Sequence, residues 1–298
     1  MQHVTTVAAP RRKAMVSAYI NLMKPHVTVL LLGVTLAAMA VAASGALKLW
    51  VTLATMVGGA LAAGSANAIN CYWDRDIDQI MSRTRGRSLP AGRVPERHAL
   101  VFGLTVGALS VLVFGLFVNW LSALLALSAI LFYVGIYTMW LKRSTPQNIV
   151  IGGAAGAVPV LIGWAAVTNS VAWPAIWMFV IIFLWTPPHF WALSLVLKKD
   201  YERAGVPMLP VVRGEAETYK QILLYTVLLG ASTIPLFVMH TLGGLYLALA
   251  LALGVGLLAL AVRLYRTRTL ANARQFFWFS NYYLALIFAA MVVDKVLR

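Results

Sequence analysis

Apolar residues run through this chain in stretches of about twenty, broken by short polar connections. A helix needs about 20 apolar residues to cross a bilayer, because it rises about 1.5 Å per residue through a hydrocarbon core about 30 Å thick. Nine stretches qualify: 27–46, 50–72, 98–117, 120–141, 148–167, 173–196, 219–240, 243–263 and 276–296. A spanning segment must satisfy its own backbone hydrogen bonds, so each is expected as a helix. The pattern predicts an all-α polytopic membrane protein, with nine transmembrane helices in a bundle. No polar connection is long enough for a separate fold. Residues 1–298 are therefore expected to form a single transmembrane domain, with 1–20 as a flexible cytoplasmic tail and no cleaved signal peptide.

Composition agrees. The chain is 61% hydrophobic and 11% charged, which excludes an ordinary soluble domain. Its net charge of +15 raises the question of nucleic acid, and the positions of the cations answer it. Lys and Arg gather at the N-terminus and in the connections after the second, fourth, sixth and eighth stretches; the other side has Lys48, Lys295 and Arg298. That asymmetry sets orientation. It puts the N-terminus in the cytoplasm and the C-terminus outside, as in a bacterial inner membrane, and needs no nucleic-acid partner. Lone Cys71 excludes an internal disulfide and a cysteine-based metal cluster.

The acids follow a different logic. Asp74, Asp76, Asp78, Glu96, Asp200, Glu202, Glu215 and Glu217 fall on the cytoplasmic side, and Asp294 alone does not. Acidic residues contribute little to orientation, so topology does not explain the clustering. A charge at the bilayer centre costs roughly 2.5–3.5 kcal/mol on insertion scales, and these acids sit near helix ends instead. They predict a polar chamber at the cytoplasmic mouth of the bundle.

At that mouth stands Asn67-Ala68-Ile69-Asn70-Cys71-Tyr72-Trp73-Asp74-Arg75-Asp76-Ile77-Asp78. Asn70, Asp74 and Asp78 are four apart, so on a helix they share one face; Asn67 joins it a turn earlier and Asp76 points elsewhere. Two carboxylates a turn apart repel unless a cation intervenes. Oxygen ligands of this kind suit Mg²⁺, which takes one or two carboxylates and completes its shell with water and phosphate. Arg83, Arg85, Arg87 and Arg93 follow, and guanidinium groups pair well with phosphate. Two readings stay open here: a metal–diphosphate site, or a solvated acidic turn beside topology-setting cations.

Other stretches carry the same ambiguity. Asp200 has basic neighbours in Lys198, Lys199 and Arg203, in what is otherwise a charged loop. Pro187-Pro188 within an apolar run is expected to break or kink its helix. His189 beside it is an intramembrane titratable group, either functional or a hydrogen-bonded core histidine. Tyr133 and Tyr137 precede Lys142 and Arg143, as a functional face or an aromatic belt. Gly152, Gly153 and Gly156 are expected to permit close helix packing.

Asn70-xxx-Asp74-xxx-Asp78 followed by Arg83-Thr84 and Arg87 resembles the first motif of the UbiA superfamily of intramembrane prenyltransferases. Three further stretches resemble its haem-directed members. They are Tyr137–Thr145 continuing to Gly152-Gly153, Trp185-Thr186-Pro187-Pro188-His189-Phe190-Trp191, and Asp200-Tyr201 with Ala204–Pro210. The matches extend from about residue 20 to 215. This chain departs from the usual pattern at Arg87-Ser88-Leu89-Pro90 and at Lys24-Pro25-His26, and its second acidic motif offers one clear aspartate, Asp200.

The resemblance implies transfer of a farnesyl group from farnesyl diphosphate to a vinyl group of haem B, with addition of water, giving haem O for terminal oxidases. Mg²⁺ would be held by Asp74, Asp78 and Asp200, with Asn70 completing or orienting the shell. Asn67, Arg83, Arg87, Lys142, Arg143 and Arg203 would surround the diphosphate. Tyr72, Trp73, Tyr137 or Trp185 would face the allylic cation, and His189 would contact haem or relay a proton. The partners implied are the two substrates, the lipid bilayer, and haem A synthase or terminal-oxidase assembly. A superfamily member with an aromatic quinone-precursor acceptor is the alternative; the Trp185–Trp191 and Ala204–Pro210 stretches speak against it. A transporter would carry ionisable groups along a path across the midplane, and here the acids sit at one face.

Overall fold

A computed structural model describes residues 12–298. Nine helices in it are long and apolar enough to span a membrane: Pro25–Ala42, Leu49–Trp73, Glu96–Phe117, Trp120–Ser144, Asn148–Thr168, Trp173–Val196, Gly214–Val238, Gly244–Thr267 and Leu270–Val296. They are called here the first to ninth spans. Each expected stretch has its counterpart, and the ends differ where polar residues continue a helix beyond its apolar part. The seventh starts at Gly214, taking in Glu215 and Glu217, and the ninth starts at Leu270, taking in Arg274.

The tail expected over residues 1–20 ends sooner. Arg12–Leu22 is a helix, with Ala18 and Leu22 buried in a cluster with Ala68, Cys71, Leu89 and Val94. The rest of that tail, residues 1–11, lies outside the described residues. Pro187 and Pro188 lie inside a continuous sixth span and do not break it. Each proline removes one i→i−4 donor; the helix continues on the bonds around them.

Consecutive spans pack on one another around a ring that closes with the ninth against the first. The most extensive cross-contacts, first against fifth and sixth against ninth, divide it, and the second span also meets the fourth and fifth. Spans one to five thus form one half, and the sixth to ninth form the other. In lipid the apolar effect does not drive helices together, so close backbone approach and interhelical hydrogen bonds must do so. Ser110 Oγ donates to the Gly58 carbonyl at 2.7 Å, joining third and second spans. A Cβ on Gly163 would run into the Thr35 carbonyl, which is where the fifth span meets the first. Gly152 makes room for the Tyr137 ring, and a Cβ on Gly153 would stand 2.9 Å from Thr186. Gly156 differs from the expectation, since open space surrounds it.

Gly163→Ala should therefore lower unfolding stability in detergent by about 1–3 kcal/mol, the usual range for overpacking. Gly156→Ala, whose Cβ meets open space, should instead be neutral or stabilise by up to about 1 kcal/mol, because a mid-helix glycine loses more backbone freedom on folding.

Candidate active site

The second span runs to Trp73, turns at Asp74, and resumes as a short helix, Arg75–Ile80. The backbone ladder crosses that turn intact: Asp74 N donates to Asn70 O at 2.9 Å and Asp78 N to Asp74 O at 2.8 Å. The four-residue column Asn70–Asp74–Asp78 therefore survives the change of helix. Asp74 is 0% exposed and Asp78 2%. Two buried carboxylates need opposite charge, and two other segments supply it.

Lys142, at the end of the fourth span, pairs with Asp74 Oδ2, which also accepts from Asn70 Nδ2 at 2.7 Å. Arg87 places Nη1 against both oxygens of Asp78, at 2.9 and 2.8 Å. Lys24 donates to Asn70 Oδ1 at 2.9 Å, which fixes the amide with its NH₂ toward Asp74. Burial pushes Lys24 down to about 8. Asn67 donates to the Met23 carbonyl at 3.2 Å, so it anchors the turn before the first span.

The connection 81–95 reaches back over this column because it is pinned at both ends. Thr84 Oγ1 donates to the Asp78 carbonyl at 3.1 Å, and Ser88 Oγ to the Ala18 carbonyl at 2.9 Å. Arg87 lies between those pins. Lys142 arrives by a different device. Residues Phe132–Leu141 of the fourth span form a π-helix, a wide winding found mostly at functional sites. It points Thr138 at Asn70, at 3.2 Å, one turn before Lys142 meets Asp74.

Asp76 faces away, as its offset from the column predicts. It is exposed and takes both ends of the Arg143 guanidinium, at 2.7 Å each. That pairing holds Asp76 down to about 2. Its stabilisation is complete above about pH 4 and is lost as pH falls through about 2. Arg143 also stands 3.7 Å from Asp74 Oδ1.

Asp200, on the short helix Lys198–Arg203, is 6% exposed. It accepts from Ser82 Oγ at 2.5 Å and lies 3.3 Å from Arg203. Around it Tyr201, Val206 and Met208 pack on Ile77, Met81 and Ile149, with Tyr137 against the same cluster. The two acidic connections thus close on each other over the fourth span. Arg83 is exposed and makes no ion pair among the described residues.

The oxygen donors fit a divalent cation. Asp74 Oδ1 is buried with no hydrogen-bond partner and has Arg143 only at 3.7 Å, so its desolvation is incompletely compensated. Asp78 stands one turn away. The expectation that Asp200 shares a single centre with both is not met in this arrangement. Among the described residues no three Asp, Glu, His or Cys side chains gather closely enough for one ion. Here each carboxylate has its own cation or hydroxyl.

The chain belongs to the UbiA prenyltransferase family. The match covers residues 31–287. A protoheme IX farnesyltransferase from Symbiobacterium thermophilum is 55% identical over 278 residues, 93% of each chain. Another from Trichodesmium erythraeum is 48% identical over 302 residues, covering 99% of this chain and 92% of that one. A digeranylgeranylglyceryl phosphate synthase structure superposes with TM-score 0.80 at 18% identity, over 95% of this chain and 99% of that one. A UbiA homologue from Archaeoglobus fulgidus bound to DMAPP and Mg²⁺ gives 0.68 at 17%, over 92% and 99%. This chain is thus an integral-membrane prenyltransferase with the UbiA fold.

Against that family frame, the column, Arg87, Lys142 and Tyr137 come together as the sequence suggests. Trp185 and His189 lie apart from their hydrogen-bond network. Trp185 Nε1 donates to the Ser280 carbonyl at 2.7 Å, and His189 Nδ1 shares a 2.7 Å hydrogen bond with Ser280 Oγ. The imidazole is stacked between Trp185 and Phe277, at 4.3 and 4.6 Å. The link to the column is through glycine: Thr186 touches Gly153, and Gly152 seats Tyr137. Tyr72 is not free to face a cation, since Arg75 covers its ring at 4.7 Å, and Trp73 is 36% exposed at the surface. Lys24, Ser82 and Thr138 join the site through contacts that the sequence pattern does not single out. Ser82 adjoins the Arg83-Thr84 motif and Lys24 opens the Lys24-Pro25-His26 departure, so both carried a faint signal.

Arg87→Ala should cost about 3 kcal/mol, because it leaves Asp78 buried and unpaired. Adding Asp78→Asn should restore most of that, as read by unfolding of the single and double variants in the same detergent. Equal losses in both would remove the pairing argument.

Proposed function

We propose that this chain joins the farnesyl group of farnesyl diphosphate to a vinyl group of protohaem IX, with addition of water, giving haem O and diphosphate. The carrying observation is the buried Asn70–Asp74–Asp78 column, cation-lined, at the mouth of an apolar bundle. The name borne by the relatives from Symbiobacterium and Trichodesmium supports the acceptor. The column face is the cytoplasmic one on this reading, because the Lys and Arg connections lie there.

The allylic C–O bond breaks, diphosphate leaves, and the farnesyl C1 bonds to the vinyl carbon. The cation left on the haem side takes hydroxide from water, which releases a proton. Mg²⁺, held by Asp74 and Asp78 beside Asn70, would supply positive charge against the leaving diphosphate, while Asp200 stays with Ser82 and Arg203 on the facing connection. Arg83, Arg87, Lys142 and Arg143 bind the remaining phosphate charge, and Arg203 stands at the rim. The isoprenoid lies in the apolar interior, where water is excluded. Tyr137, beside Tyr133 at 5.3 Å, offers an aromatic face below the diphosphate. His189 has Nδ1 committed to Ser280, which leaves Nε2 for the haem. Haem A synthase or terminal-oxidase assembly would consume the product.

Asp74→Asn and Asp78→Asn should each abolish prenylation by protein that still inserts and folds. Mass analysis of haem after incubation with farnesyl diphosphate and Mg²⁺ reads this as the missing farnesyl-plus-water increment. Undiminished product from either variant removes the assignment. A hydroxybenzoate offered in place of haem should stay unprenylated; its conversion would favour the aromatic-acceptor reading. His189→Ala should weaken haem binding more than farnesyl diphosphate binding, and equal loss of both would make it a packing residue.

A further inference from the structure

The face opposite the column is almost bare of cations. Among the described residues it has Lys48, Lys295 and Arg298. Two of these three line a single cavity of about 550 Å³, together with His240, Thr241 and Ser44. Its walls are the end of the first span and the residues after it, the turn between the seventh and eighth spans, and the end of the ninth. Cations on this face work against the orientation that the rest of the chain enforces, so their convergence on one concavity needs a reason other than topology.

Asp294 lies nearby but forms no ion pair with them. Asp294 accepts from Gly243 N at 2.5 Å and Tyr246 N at 3.0 Å, and so caps the start of the eighth span. Among the described residues, Lys295, Arg298 and His240 make no ion pair with any acid. His240 holds a left-handed backbone, φ 56°, which costs a residue with a Cβ about 1 kcal/mol or more. The turn is thus set in a conformation that puts an imidazole at the cavity rather than in a relaxed loop.

We infer that this cavity binds a phosphate group at the membrane rim opposite the active site, with Lys295 and Arg298 as its counter-charges. Hydroxyls at Ser44 and Thr241 supply further donors. Basic pockets between spanning helices take lipid phosphates in this way, and an aqueous phosphate would offer the same chemistry. This inference is independent of the acceptor assigned above.

The test uses the full chain in neutral detergent, titrated separately with phosphatidylglycerol, phosphatidylcholine and inorganic phosphate. Binding is read by native mass spectrometry and by the shift in melting temperature. The wild type and Lys48→Gln should retain phosphatidylglycerol equally. Lys295→Gln with Arg298→Gln should bind it about tenfold more weakly, the loss expected for charge-assisted contacts. Binding of phosphatidylglycerol but not inorganic phosphate, lost in the double variant, identifies a lipid headgroup; binding of both, lost alike, identifies the phosphate alone as the ligand. Unchanged phosphatidylglycerol and phosphate binding in the double variant overturns the site, as does an equal loss in Lys48→Gln, which would mark general surface charge.

Discussion

Two carboxylates sealed at the mouth of a membrane bundle impose the main constraint on this structure. Taking an ion out of water costs several kcal/mol even after relaxation, and only well-placed opposite charge offsets it. Asp74 and Asp78 are more deeply buried than Lys142 or Arg87, whose side chains keep 16% and 26% exposure. The cations therefore come to the acids, not the reverse. The connection 81–95 folds back to deliver Arg87, and the fourth span unwinds its α-geometry to deliver Thr138 and Lys142. The chain breaks at Lys24, in a left-handed conformation, where its amine reaches Asn70.

These demands divide the work between the halves of the ring. The half made by spans one to five holds the charged column and Tyr137. The half made by spans six to nine holds the Trp185–His189 stack on Ser280 and Phe277. Gly152 and Gly153 on the fifth span lie between, each admitting a side chain from one half. The reaction proposed above, with a diphosphate and a flat aromatic macrocycle as its two substrates, would suit such a partition. Charge chemistry stays near water, and aromatic packing stays in the hydrocarbon.

Period and polarity made much of this legible from sequence. The nine spans follow from hydrophobic run length, and the shared face of Asn70, Asp74 and Asp78 follows from a spacing of four. The same arithmetic set Asp76 outside, where it pairs with Arg143. What sequence did not disclose depends on contacts between distant elements. No local pattern announces that Ser82 will meet Asp200 across 118 positions, or Lys24 meet Asn70 across 46. The π-helix is likewise invisible, because its residues read as ordinary apolar helix. The paired prolines allowed two outcomes that sequence could not separate. A local rule predicted a break or a kink, and the sixth span, packed against the fifth, seventh and ninth, is not broken and stays helical through both.

The pairing of each acid with a cation also bears on how such a site tolerates having nothing bound. Asp74 and Asp78 would repel if left bare, yet Lys142 and Arg87 relieve that repulsion within the protein. The groups that neutralise the acids are the same type of group that would embrace a diphosphate. Binding therefore exchanges one set of ion pairs for another and need not create charge contacts from none. Asp74 Oδ1, buried without a hydrogen bond and with Arg143 3.7 Å away, is where that balance is least complete. An acceptor kept dry and unsatisfied costs about 1–3 kcal/mol. A divalent cation held there, as proposed above, would offset that cost.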